Sequence, residues 1–464
     1  MSKPLFDEFE GVSSKAWKQK IQFDLKGADY NDTLIWNTSE GIDVKPFYHS
    51  DEFETWPEIS ASKATAWKIC QAIEVQNEND ANIAARDAIE CGAESILFIV
   101  HSENISVTDL LSNIDLITID VHLKCNFLSE EFTSKINKAT LSEAEAPNNI
   151  TTIHTDIIGN LAKTGNWYSN LKEDHSKFEC IVKQTNELSI DLSLYQNAGA
   201  TIIQQLAYGL AHANEYLNHL DNVIASEAKQ SLKVTFNVSV GSNYFFEIAK
   251  LRALRQLWAT LASEYDLNTD CKIIATPSKR NKTIYDYNVN MLRTTTECMS
   301  AVLGGANTIC NLPYDALYHK PNEFGERISR NQLLVLKNES YFDKVNNPAD
   351  GAYYIESLTE QLAEKALDVF KDIESNGGFL SQLKEGTIQR KIKESAAKEQ
   401  ADFDAEKLVL LGTNKHPNPA DKMKNELEIN PFLNIEKRKT LIEPIIEKRL
   451  SEKLETKRLK EEQN

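Results

Sequence analysis

The 464-residue chain is short of the features that mark most function classes. No apolar run approaches the roughly 20 residues a membrane span requires, and the opening MSKPLFDEFEGVSS has no apolar signal core, so the sequence predicts a cytoplasmic protein. Cationic balance is missing too: 51 Lys and Arg face 69 Asp and Glu, giving a formal charge of -18 and a pI near 5.1. That argues against nucleic-acid and membrane partners. Cys70, Cys91, Cys125, Cys180, Cys271, Cys298 and Cys310 include no CxxC pair and are odd in number, which predicts reduced, mostly buried thiols in a reducing compartment. Glycine-rich phosphate loops, zinc-spaced His/Cys sets and a G-x-S-x-G elbow are all lacking. By motif alone the chain advertises no catalytic, metal or cofactor site.

What is there is rhythm. Between Leu188 and Leu261 a strand of period two, a turn carrying Gly199 or Gly241 and a long helix of period 3.6 occur twice in succession, and repetition of that unit implies a parallel sheet. Extended along the chain, the pattern predicts eight strands: Trp67 to Val75, Ser95 to Val100, Leu116 to Leu123, Ile150 to Asp156, Leu188 to Ser193, Val234 to Ser239, Lys272 to Thr276 and Thr308 to Leu312. Phe178 to Val182 lies too close to Leu188 for a parallel crossover and is read as the end of a helix. The expected fold is α/β, a (β/α)8 TIM barrel over residues 61–416. An N-terminal arm, residues 1–60, carries a short helix bearing Trp17, Ile21 and Leu25, then a hairpin around Ser39-Glu40-Gly41. So small a unit must lie on the barrel or on another chain. A charged C-terminal extension, 417–464, has Ile446, Leu450 and Leu454 as the seam of a last, peripheral helix.

The strands alternate unusually for a parallel sheet, whose members are normally apolar on both faces. With the apolar row against the helices, Thr118, Asp120, His122, Thr152, His154, Asp156, Ser189, Asp191, Ser193 and Asn237 point into the barrel lumen, where bulky branched residues would be usual. Two readings stay open: a ligand channel with an acid/base cluster, or a polar plug whose members satisfy one another. Asp120-Val-His122-Leu-Lys-Cys125 nearly matches the D-x-H-x-x-G pattern in which a histidine ligates cobalt, but the glycine is absent and the residues fall inside a strand.

Longer blocks carry a resemblance. DLKGADY at 24–30, EGIDVKPFY at 40–48, QNAGAT at 196–201, GSNYFFEIAKLRALRQLW at 241–258, NKTIYDYNVNMLRTTTECMSAVLGGAN at 281–307 and GTNKHPNP at 412–419 resemble the small, non-catalytic subunits of adenosylcobalamin-dependent methylmalonyl-CoA mutases. The resemblance implies a barrel of the type whose lumen, in catalytic chains, is threaded by the pantetheine arm of coenzyme A. Where catalytic chains read G-Y-H-M-Q-E-A-G-A, this one reads Leu192 to Ala200, with Leu194 at the histidine. The first-strand R-Q-Y falls on Cys70-Gln71-Ala72, so Ala72 stands at the tyrosine; the seventh-strand R-T-H-S-Q has no counterpart in Ile273 to Lys279. The family continues into a cobalamin domain beyond the segment in which this sequence stops. The resemblance therefore implies no catalytic residues and no cofactor on this chain, with adenosylcobalamin and chemistry on a large catalytic subunit of a heterodimer that interconverts (R)-methylmalonyl-CoA and succinyl-CoA. Its arm is expected to embrace that partner. The alternatives are an acyl-CoA-binding barrel of a split mutase and a solitary scaffold of mutase descent.

Overall fold

The computed structural model describes residue 8 and residues 11–55, 62–141, 151–221, 230–433 and 438–462. These residues form ten strands in two sheets. β1 (Trp36–Asn37) and β2 (Asp43–Val44) form the hairpin of the arm, antiparallel with Trp36 opposite Val44. The other eight are β3 (Lys68–Val75), β4 (Ser95–Val100), β5 (Asp120–Cys125), β6 (Thr151–His154), β7 (Glu187–Asp191), β8 (Lys233–Val240), β9 (Lys272–Pro277) and β10 (Thr308–Cys310). All eight expected strands are present, and Phe178 to Val182 lies within the helix Leu171–Thr185. The fold is a (β/α)8 barrel.

The sheet order is β6-β5-β4-β3-β10-β9-β8-β7, all ladders parallel. The first barrel strand pairs with the last, Lys68 opposite Thr308, at the middle of this order. Among the described residues the pair β6 and β7 forms no ladder, and side chains bridge the seam. Glu187 Oε2 accepts from the Ile153 amide at 3.0 Å and Asp156 Oδ2 from the Asp191 amide at 2.8 Å.

The period-two alternation sorts the faces. On β8, Val234, Phe236, Val238 and Val240 are 0–3 % exposed and join the main core under the helices. Phe236 meets Trp258 of the helix Tyr244–Glu264 edge-on at 5.6 Å; burying such a side chain is worth roughly 1.5–3 kcal/mol. Helix Ile202–Leu220 covers the neighbouring strands, its first turn closed by a capping box of Thr201 and Gln204.

The arm lies on the barrel. Ser13 Oγ caps helix Ser14–Asp24, which has no buried residue, and Trp17 is 50 % exposed. The first hairpin strand starts only at Trp36, after the β-branched Thr33 and Ile35, because Asp29 caps a short helix Tyr30–Leu34 with bonds to the Asn31 and Asp32 amides. From the hairpin turn, Glu40 accepts from the Ile202 and Ile203 amides at 2.9 and 3.0 Å, so a carboxylate of the arm sits on the positive end of a barrel helix. Ile42, 1 % exposed, enters the main core beside it.

At the other end the expected helix is displaced. It spans Glu452–Glu462, whereas Ile446 and Leu450 belong to an extended strap held by its backbone. Pro444 cannot donate to a helix ladder. The strap bonds to Gly165, Ala162, Asn197 and Arg280 through the amides of Ile442, Ile445, Lys448 and Leu450 at 2.7–3.1 Å. It thus crosses the loops after β6, β7 and β9 on the C-terminal face of the barrel. Arg449 and Glu455, each at most 5 % exposed, pair at 2.7 Å beneath it. The last helix is tied to its own barrel and is not a peripheral appendage.

Candidate functional site: the barrel lumen

The residues that share the inner face of the strands form three levels. At the N-terminal end, Lys68 of β3 pairs with Asp120 of β5 at 2.9 Å. Thr118 is not part of this face. Asp115 accepts from the Ile117 amide at 3.0 Å and from Thr118 Oγ1 at 2.8 Å, forming a turn that delays β5 until Asp120 and leaves Thr118 exposed outside the barrel.

The middle level holds the histidines. His122 is 2 % and His154 6 % exposed, with ring centroids 5.3 Å apart. Asn237 donates to Ser189 Oγ at 2.9 Å and approaches His154 Nδ1 at 3.3 Å, while Ser189 Oγ lies 2.8 Å from the same Nδ1. This order makes His154 Nδ1 an acceptor and places its proton on Nε2, 3.3 Å from His122 Nδ1. Burial, then the charge of Lys124, pushes His154 down to about 3; burial and His154 hold His122 well below the usual imidazole range. Both rings are neutral at pH 7. Thr152, 5 % exposed, lies beside His122 in the ladder register.

The upper level is an ion pair. Lys124, one residue past the strand end expected from sequence, reaches Asp191 at 2.6 Å. Asp191 also takes the Ser193 amide at 3.0 Å and the Ser193 hydroxyl. Burial opposes ionisation of Asp191, but Lys124 and Ser193 outweigh it and hold the carboxyl at about 2. Lys124 is surrounded by protein, yet 39 % of its side chain is accessible, so water reaches this level of the lumen.

Asp156 leaves the inner face altogether. β6 ends at His154, and Asp156 turns outward to cap helix Ile157–Thr164 through the Gly159 amide at 2.7 Å. There it meets Tyr216 OH at 2.6 Å and His212 Nε2 at 2.9 Å, both on helix Ile202–Leu220; His212 Nδ1 in turn lies 3.0 Å from Tyr195 OH. Sequence alone gave no signal for this cluster, because His212 sits on an otherwise apolar helix face and is fully buried.

Leu194 is 5 % exposed in the short helix Ser193–Asn197 and packs in the main core. Ala72 faces the lumen from β3, in register with Leu97. Neither side chain donates or accepts a proton. Nor does the Asp120-to-Cys125 segment fit a cobalt ligand: His122 is enclosed within β5 against His154 and cannot project toward a corrin. Among the described residues no group of three or more His, Cys, Asp or Glu could hold a metal ion, and no helix is long and apolar enough to cross a membrane.

An eight-stranded parallel barrel whose lumen is bridged by its own polar side chains is the class of protein this geometry defines. Comparison with known proteins narrows the class. The family model described as methylmalonyl-CoA mutase matches residues 99–462. The methylmalonyl-CoA mutase small subunit of Porphyromonas gingivalis is 33 % identical over 443 residues, covering 89 % of this chain and 71 % of that protein. The small subunit of Streptomyces virginiae is 28 % identical over 436 residues, 88 % of this chain and 69 % of that one. The Porphyromonas gingivalis large subunit is 33 % identical over 250 residues, covering 53 % of this chain and 35 % of that protein. The chain belongs to the methylmalonyl-CoA mutase family and is similar to its small subunits, about two thirds of whose length it spans.

Proposed function

We propose that the chain is the non-catalytic small subunit of a heterodimeric, adenosylcobalamin-dependent methylmalonyl-CoA mutase. The observation that carries the reading is the bridged lumen. Lys124 and Asp191 pair across it, and His122, His154, Ser189 and Asn237 form a hydrogen-bonded chain below, in the space a threaded substrate would occupy. With Leu194 buried and Ala72 at the tyrosine position, neither of these two positions supplies a hydrogen bond to a migrating acyl carbonyl. Both chemistry and cofactor then belong to the large subunit, and this chain contributes folding and assembly. The presence of small and large subunits in one related organism supports such a pair, and the exposed helix Ser14–Asp24 supports an arm that reaches toward a partner.

Co-expression with the large-subunit homologue encoded in the same genome tests the proposal. A stable heterodimer by size exclusion, with turnover of methylmalonyl-CoA that the isolated chain lacks, is expected. Turnover by the isolated chain supplied with adenosylcobalamin would refute it. Water access to Lys124 favours one second reading, an acyl-CoA-binding barrel of a split mutase. Equilibrium dialysis of this chain against succinyl-CoA separates the two, since a bridged lumen retains none.

A further inference from the structure

Away from the lumen, the strap and the helix Thr387–Asp404 enclose a trough of about 500 Å³. One helical face supplies a wall from Gln389 to Asp404, a run of roughly 22 Å at 1.5 Å per residue. Its apolar members are Ile392, Ala396, Ala397 and Ala401, and Pro444, Ile445 and Ile446 of the strap face them. The trough floor continues into the packed side of the helix, where Ile388, Ile392 and Phe403 are at most 2 % exposed. Alanines recur where the strap passes, so the trough is long, narrow and apolar along its floor.

Its charge runs against that of the chain. The protein as a whole carries -18, yet the charged residues lining the trough are Arg280, Lys393 and Lys448 against Asp404 alone. Glu399 holds Arg280 at 2.5 Å, Glu443 pairs with Lys393, and Lys453 neutralises Asp404 at 3.4 Å. Among the described residues Lys448 has no carboxylate partner, and its own backbone is fixed by bonds to Asn197 and Arg280. The result is an apolar slot with one cation at its rim that no carboxylate of the described residues pairs.

We propose that this trough binds a linear amphipathic anion, an alkyl chain along the alanines with a carboxylate at Lys448. Its volume lies within the usual range of small-ligand sites and accommodates on the order of 15 heavy atoms at roughly 30 Å³ each. An extended alkyl chain matches the straight wall of a helix better than a compact ring system does. Since the strap forms one wall, an occupant would also hold the C-terminal segment against the barrel.

Isothermal titration of the full chain with sodium decanoate, with decyl glucoside as the uncharged control, tests the site. Saturable binding of one decanoate per chain is expected, with decyl glucoside bound about tenfold more weakly. Ala401→Trp, on the exposed side of the helix, should abolish binding, and Ala397→Trp one turn away serves as the second filling variant. Lys448→Glu should weaken decanoate about tenfold while leaving decyl glucoside unchanged. No saturable decanoate binding by the intact chain, or binding that survives both tryptophan variants, overturns the site. Equal affinity for the two ligands overturns the anionic head.

Discussion

Replacement of Asp156 by asparagine probes the contact on which the split seam depends. Oδ2 accepts from the Asp191 amide across the seam, and Oδ1 accepts from the Gly159 amide and Tyr216 OH, with His212 Nε2 at 2.9 Å. An amide keeps one oxygen. Turned toward Asp191, it sets an NH2 group against the Gly159 N–H; turned toward Gly159, it opposes the Asp191 N–H. Either orientation leaves a buried backbone donor unmatched, at about 1–3 kcal/mol, and removes the charge from the remaining bonds, at about 1 kcal/mol more. Asp156→Asn should therefore lower stability by about 3 kcal/mol at pH 7. Burial raises the carboxyl pKa, but His212, Tyr216 and the Asp191 amide outweigh it, so the folded value lies below the ordinary 3.8. The contribution is present above 3.8 and is lost as pH falls toward the lower folded value, so the two proteins should converge in acid. Urea denaturation followed by hydrogen exchange at the Asp191 and Gly159 amides reads both effects. A loss under 1 kcal/mol with unchanged exchange at both amides would refute the assignment.

Three further outcomes follow from the same geometry. Glu187, pushed up to about 7 chiefly by burial, favours the protonated form in the fold, so stability should fall as pH rises from about 4.5 through 7; Glu187→Gln should gain about 1–2 kcal/mol at pH 8 and nothing at pH 4, measured by thermal melts at both values. Lys124→Met strands Asp191 with Ser193 as its remaining partner and should cost about 1 kcal/mol at pH 7, a deficit that disappears as pH falls through Asp191's folded value of about 2. Glu40→Gln removes the charge that the arm places on the first turn of helix Ile202–Leu220, and limited chymotryptic digestion should cut the arm after Tyr48 several-fold faster, with barrel fragments unchanged. Equal cleavage rates would show that Ile42 alone holds the hairpin.

Much of the barrel was legible because a strand buried on one face and polar on the other writes its period into the sequence, as in Leu188 to Asp191 and Val234 to Ser239. Alternation does not say where a strand stops. Leu116 and Thr118 continue the rhythm of β5, but the Asp115 turn takes that stretch out of the sheet, which hid Lys124 at the far end. Asp156 keeps the parity of Thr152 and His154 yet serves as a helix cap, a role its side chain fills equally well. The seam bonds of Glu187 and Asp156 link side chain to backbone between distant segments, and no local pattern encodes such a contact.

With no ladder between β6 and β7 among the described residues, the main-chain hydrogen bonds of the barrel trace a ribbon with two edges, not a ring. Those edges are consecutive in sequence, whereas the ribbon's middle joins β3 to β10 across 240 residues, Lys68 beside Thr308. Its most entropically expensive loop closure therefore falls at the centre. A circular permutant opened between residues 165 and 170, with the native ends linked, would read β7-β8-β9-β10-β3-β4-β5-β6. Lys68 and Thr308 would still stand more than 220 residues apart through the linked ends, so this closure would cost about as much as in the native order and the permutant should fold no faster.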